Sequence, residues 1–140
     1  MKMKRSFLVL LVVLLCFCVA GCGAKTVAEN LWDSATYTED TELGNGAKTL
    51  LVKVEAQEKS VLFTIHTDAK TVGDALTEHK LISGEEGAYG LYVKEVNGIV
   101  ADYDKDKSYW AFNKEGEAMT TGVDGAEFSD GEQFELAYTK

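Results

Sequence analysis

The 140-residue chain has no proline and only three cysteines, all of them within its first 22 residues. From Gly23 to Lys140 there is no thiol, which excludes disulfide bonds, thiolate metal sites and a cysteine nucleophile there. A domain of this size can still bury one core large enough to fold without cross-links. Nucleotide fingerprints, Gly-rich phosphate loops and the Gly-x-Ser-x-Gly elbow are also missing. The sequence therefore predicts no enzyme.

Positive charge is scarce as well. The chain has 14 Lys and Arg against 23 Asp and Glu, a formal charge of −9. Three of the basic residues and none of the acidic residues lie in residues 1–21. Residues 22–140 therefore contain 11 basic and 23 acidic residues, a formal charge of −12. Such a surface repels nucleic acid, and no nucleic-acid partner is predicted.

The N-terminal segment is typical of an export signal, with basic residues followed by the apolar run 7–19. A helix of 13 residues rises about 20 Å, too little to span a hydrocarbon core of about 30 Å. Val19-Ala20-Gly21-Cys22 resembles a bacterial lipobox, where cleavage precedes a lipidated cysteine. We predict a lipoprotein signal peptide at 1–21 and a lipid anchor at Cys22 on the extracellular face of the cell membrane. The alternative is an ordinary secretory signal.

Residues 22–47 show little periodicity, and small, polar and acidic residues dominate them. We interpret them as the lipidated N-terminus and a flexible tether. Trp32 and Tyr37 are unusual in a tether, and we expect them to dock on the domain that follows, as in an added edge strand.

Residues 48–140 form the predicted domain. Apolar residues alternate in two runs, 50–56 and 61–66, which predicts a hairpin. Thr71 is a suitable N-cap for a helix with an apolar stripe, and residues 83–87 are assigned to a loop. Asn97-Gly98 predicts a second hairpin, and an aromatic strand and a final strand follow.

One striped helix can cover one face of one mixed sheet. The predicted fold class is therefore α+β, a β-grasp-like mixed sheet with one helix packed on one face. In that arrangement the last strand lies beside the first.

Four segments carry a resemblance to a known family: Thr71 to Leu76, Val96-Asn97-Gly98-Ile99, Tyr109 to Phe112, and Asp130 to Phe134. In this order they resemble the DUF4430 family, which is similar to the C-terminal β-domain of transcobalamin and intrinsic factor. The resemblance covers about residues 48–139. It implies a surface suited to a flat ligand, with a corrinoid such as cobalamin as one candidate, or to a partner protein. A second Asn-Gly turn common in the family is replaced here by residues 113–116.

Asp102, Asp104 and Asp106 alternate like the first ligands of a calcium loop. Lys107 then stands where glycine is needed, and Asn113 replaces the bidentate glutamate. We favour a solvated acidic turn and keep calcium as the weaker hypothesis. His66 and His79 are the only histidines, too few for a zinc site without carboxylates.

Aromatic residues are crowded between residues 89 and 112. Half of them should point into the core, and the others could form an exposed platform that stacks on a planar ligand. The candidate ligand-binding residues are Tyr92, Tyr103, Tyr109, Trp110 and Phe112.

The predicted function is therefore a membrane-anchored binding module that takes a small flat ligand, without a cofactor and without catalysis. The alternative is a cell-surface module that binds a cell-envelope protein.

Overall fold

The computed structural model describes residues 29–140. The predicted signal peptide, the lipobox with Cys22, and residues 23–28 lie outside the described residues. Within the described range, no helix combines the length and the apolar character needed to cross a membrane.

The elements follow one another in this order: a 3₁₀ turn at Leu31–Ser34, β1 (Thr41–Gly44), β2 (Lys48–Ala56), β3 (Lys59–Thr67), α1 (Val72–Glu78), β4 (Ile82–Gly87), β5 (Gly90–Val96), β6 (Ile99–Val100), α2 (Tyr103–Asp106), β7 (Tyr109–Lys114), β8 (Glu117–Ala118), a 3₁₀ turn at Val123–Gly125 and β9 (Gln133–Thr139).

Six strands form a mixed sheet in the order β1-β3-β2-β9-β7-β8. The long hairpin β2–β3 is antiparallel, and β9 lies parallel to β2 with Val52 opposite Phe134. The predicted α+β class is confirmed, and the last strand lies beside the first strand of the predicted domain. The structure adds a second sheet of three strands, β4-β5-β6.

The core lies on one face of the six-stranded sheet. Thr71 caps α1 by accepting a hydrogen bond from the Asp74 amide, and α1 buries Val72, Ala75 and Leu76 against the sheet. Residues 83–87, predicted as a loop, belong to β4. They show no apolar alternation because all five are exposed, and the register shifts between Ser83 and Gly84.

Three tight hairpin turns place two residues at positive φ, and the first of them is Gln57-Glu58 between β2 and β3. At β5–β6 these are Asn97 (φ 53°) and Gly98 (φ 81°), which confirms the predicted turn. Glu115 (φ 53°) and Gly116 (φ 80°) do the same between β7 and β8. Residues 113–116 thus form the β7–β8 turn without an Asn-Gly pair, because glycine still supplies the second position.

Residues 29–47 are not a flexible tether, and that part of the prediction is wrong. Trp32 is buried in the core, and β1 pairs parallel with β3 at one edge of the sheet. Tyr37 packs edge-on against Phe63, with ring centroids 5.6 Å apart. The expectation that Trp32 and Tyr37 dock on the domain is confirmed, because their buried apolar area outweighs the polar character of the segment.

Candidate functional site

A concave region lies at one end of the molecule, between two segments. We call residues 29–37 the strap and residues 102–108 the acidic turn. Two adjoining depressions, of about 360 and 460 Å³, share Glu29, Leu31, Asp106 and Tyr138 in their lining. Together they form the strap groove. The other lining residues are Asn30, Ser34, Gln57, Gly98, Val100, Asp102, Lys105, Ser108 and Lys140.

The aromatic residue in the groove lining is Tyr138 of β9, which is supported from behind by Trp110. The two rings meet edge-on with centroids 5.6 Å apart, and the Trp110 Nε1–H donates to the Ile99 carbonyl at 3.1 Å. Trp110 is only 7% exposed. It pairs with Tyr138 on the core side of the sheet. The prediction that Trp110 belongs to an exposed platform is therefore wrong.

The first wall of the groove is the strap, held by reciprocal hydrogen bonds. Gln57 accepts from the Leu31 amide at 2.8 Å and donates to the Glu29 carbonyl at 2.9 Å. The Trp32 Nε1–H donates to the Ala56 carbonyl at 2.8 Å. These hydrogen bonds pair polar groups of the strap and of the Trp32 indole. Without partners, such groups would oppose burial of the indole.

Asn97 joins the strap to the β5–β6 turn. Its side chain accepts from the Tyr37 amide at 2.9 Å and donates to the Tyr37 carbonyl at 2.8 Å. Its backbone carbonyl accepts from the Thr36 amide at 2.9 Å, and the residue is 1% exposed. The sequence signal at Asn97 predicted the turn and missed this second role.

Gly98 is required for the same contact. Besides its positive φ, a Cβ at this position would stand 2.4 Å from the Ser34 carbonyl oxygen. The strap can therefore cross the turn closely only because residue 98 has no side chain.

The second wall is the acidic turn, in which the carboxylates of Asp102 and Asp106 accept hydrogen bonds from other groups of the same turn. Asp102 caps α2 by accepting from the amides of Asp104 and Lys105. Hydrogen bonds from the Ser108 side chain and amide, and then Lys140 at 3.2 Å, lower the pKa of Asp106 to about 2. The structure does not support the calcium hypothesis, because the carboxylates of Asp102 and Asp106 already accept these hydrogen bonds within the protein. Within residues 29–140, no three His, Cys, Asp or Glu side chains are placed to hold a metal.

The remaining predicted site residues lie elsewhere. Phe112 is half-buried and stacks on Phe134, with centroids 5.6 Å apart, which removes it from any exposed platform. Tyr92, Tyr103 and Tyr109 are exposed, and the last two meet edge-on at 6.5 Å. None of these residues lines the strap groove. The sequence missed the groove because Leu31, Gln57 and Tyr138 come from three distant segments.

Comparison with known proteins adds a family and two structures. The family model described as "Domain of unknown function (DUF4430)" matches residues 69–140. A Ruminococcus gnavus ATCC 29149 structure, described as a "putative metal binding protein", is 35% identical with a TM-score of 0.63. The match covers 67% of this chain and 98% of that one. None of the curated proteins matches the chain.

The second structure is haptocorrin in complex with Cbi, which is 17% identical with a TM-score of 0.55. The match covers 70% of this chain and 26% of haptocorrin, so the chain corresponds to about a quarter of that protein. At this identity the likeness shows a shared fold alone.

Proposed function

The chain belongs to the DUF4430 family, and on that premise we propose that it is a non-catalytic module that captures a small ligand in the strap groove at the outer face of a cell membrane. The observation that carries this proposal is the groove itself. Its volume falls in the range of small-molecule sites, roughly 300–1,000 Å³.

The lining of the groove suits a ligand with a flat apolar part and a polar edge. Tyr138 offers an aromatic surface, and Leu31 and Val100 add apolar contacts beside it. Glu29 and Lys105 supply opposite charges on the lining. Flat rings stack on aromatic side chains, whereas peripheral amides and hydroxyls bind charged and polar groups.

A corrinoid is the first candidate ligand. The fold shared with haptocorrin, a protein solved with Cbi (cobinamide), supports trying this class. The groove would hold one edge of such a ligand and leave the rest exposed.

A metal ligand fits less well. The description of the Ruminococcus gnavus protein raises this possibility, but the described residues of this chain offer no group of three metal-binding side chains. We therefore include no metal in the proposal.

The anchoring part of the proposal is supported by the lipobox ending at Cys22. Two acyl chains on one cysteine hold a protein stably at a bilayer, whereas one chain holds it only marginally. Replacing Cys22→Ala should move the protein from the membrane fraction to the soluble fraction and abolish palmitate labelling in cells. A Cys22→Ala protein that stays in the membrane fraction would refute the lipid anchor.

The ligand part can be tested by calorimetric titration of the mature chain in detergent with cobalamin and with cobinamide. Val100 is 56% exposed and lines the groove, so Val100→Glu should block the groove without unfolding the domain. Tyr92→Ala is the matched control, because Tyr92 is 48% exposed and lies outside the groove. Binding that Val100→Glu abolishes and Tyr92→Ala preserves supports the groove. The reverse result would return the site to the exposed aromatic residues, and no heat with either ligand would exclude corrinoids.

The second candidate function is binding of a cell-envelope protein. It is favoured by the tip of the β4–β5 hairpin, where Tyr89 is 99% exposed. Exposed aromatic side chains are enriched at the centres of protein interfaces. Cross-linking in intact cells, with Tyr89→Ser as the comparison, tests this alternative. An adduct that is lost with Tyr89→Ser would support it.

A further inference from the structure

The strap sets how far the domain can stand from a lipid on Cys22. Among residues 29–140, the first groups that bind the domain are the Glu29 carbonyl and the Leu31 amide, both held by Gln57. Only six residues, 23–28, separate Cys22 from Glu29. Seven Cα-to-Cα steps reach at most about 25 Å, whatever their conformation.

The strap groove opens at the point where this short connection enters the domain. Glu29 and Leu31 line both depressions of the groove. The turn after β2, the start of β7 and the end of β9 lie at the same end of the sheet, since β9 runs parallel to β2 and antiparallel to β7. The β7–β8 turn at Glu115 lies at the opposite end, about 20 Å away along six residues of strand.

We propose that the strap groove faces the lipid headgroup layer of the membrane that holds the protein, with its rim within about 25 Å of the lipidated Cys22. This inference rests on the lipid anchor of the proposed function. Ligands then reach the groove through a thin layer next to the bilayer, which admits small molecules and hinders bulky ones.

Chain length, rather than charge, holds the groove at this position. The groove lining contains Glu29, Asp102 and Asp106 against Lys105 and Lys140, so it offers no net positive charge to anionic lipids. The orientation should therefore persist at high salt, whereas an orientation held by exposed charges would weaken as salt screens them.

Because there is no cysteine after Cys22, a thiol introduced into the domain can be labelled without competition from other thiols there. A single thiol is introduced by Val100→Cys at the groove or by Glu115→Cys at the far end, in the full lipidated chain reconstituted into phosphatidylcholine–phosphatidylglycerol vesicles. Each variant is treated with a small maleimide and with a maleimide that carries a long polyethylene glycol chain. Flotation of the vesicles measures anchoring in the same samples.

The small reagent should modify both thiols, and the bulky reagent should modify the Val100→Cys thiol several-fold more slowly than the Glu115→Cys thiol. Detergent should remove the difference. A Gly/Ser insert of about 20 residues between Ala28 and Glu29, which by itself spans roughly 25 Å on average, should also remove it. Protein that floats with the vesicles but reacts equally at both sites would overturn the proposed orientation. Protein that does not float would instead refute the anchor.

Discussion

Trp32 and Trp110 have nearly the same environment in the structure, although their sequence surroundings differ. Trp32 is 6% exposed and Trp110 is 7% exposed, and each indole donates to a backbone carbonyl, of Ala56 and of Ile99. Trp32 stands in a polar, irregular segment, whereas Trp110 lies in an aromatic strand. The sequence context predicted a docked linker residue in one case and an exposed ligand contact in the other.

The comparison shows that burial of an aromatic residue depends on what covers it. Trp110 is covered because its strand pairs with β9 and places it opposite Tyr138. Trp32 is covered because the strap packs over the end of the β2–β3 hairpin. There the Lys59 Nζ lies 4.8 Å from the centroid of the Trp32 ring. Replacing Trp110 should therefore destabilise the whole domain, whereas replacing Trp32 should destabilise mainly the strap and the neighbouring residues.

The largest effect is expected from Trp110→Ala. This change leaves a cavity behind Tyr138 and an unpaired Ile99 carbonyl, and it should lower the free energy of unfolding by about 3–5 kcal/mol. Urea unfolding measures the loss, and the exposed Tyr92→Ala serves as the control, with a change within about 0.5 kcal/mol. A loss below about 1 kcal/mol for Trp110→Ala would contradict its place in the core.

Trp32→Ala should cost somewhat less, roughly 3 kcal/mol, because its burial rests on the strap, which covers only one end of the β2–β3 hairpin. The loss should be local. Hydrogen exchange is expected to accelerate in residues 30–44 while Phe134 and Leu136 of β9 keep their protection. Equal acceleration in β9 would show that the strap does not open separately from the sheet.

Asn97→Gly should lower the free energy of unfolding by about 2 kcal/mol, because the Tyr37 amide and carbonyl lose their partners. Glycine accepts the positive φ of this position, so the turn itself is preserved. Glu115→Gly is the matched control. Glu115 has the same φ of 53° in the β7–β8 turn, and among the described residues it makes no side-chain hydrogen bond, so this change should be neutral or slightly stabilising. Equal losses in the two variants would refute the role of Asn97 in holding the strap.

The smallest effect concerns the second wall of the groove. Because the pKa of Asp106 is lowered from 3.8 to about 2, its stabilising contribution is complete above about pH 4 and is lost as the pH falls through 2. Ser108→Ala removes the largest cause, so the pKa of Asp106 should rise toward its ordinary value. NMR titration of the carboxyl group measures this shift. The stability gap between the two proteins should narrow from pH 4 to pH 2, and an unchanged pKa in Ser108→Ala would contradict the assignment.

The sequence by itself determined the features that depend on neighbouring residues. Alternation predicted the β2–β3 hairpin, Thr71 predicted the helix start, and Asn97-Gly98 predicted a turn, because each follows from local dihedral preference or periodicity. The acidity and the absence of cysteine after residue 22 were also evident from composition alone.

Only the tertiary structure decided the position of the strap, the burial of Trp110 and the existence of the groove. The Trp32 indole reaches a carbonyl 24 residues away, and Asn97 binds Tyr37 across 60 residues. Such contacts depend on long-range closure of the chain, on which local patterns carry no information. The same segment that looks like a tether in the sequence therefore becomes a wall of the candidate site in the fold.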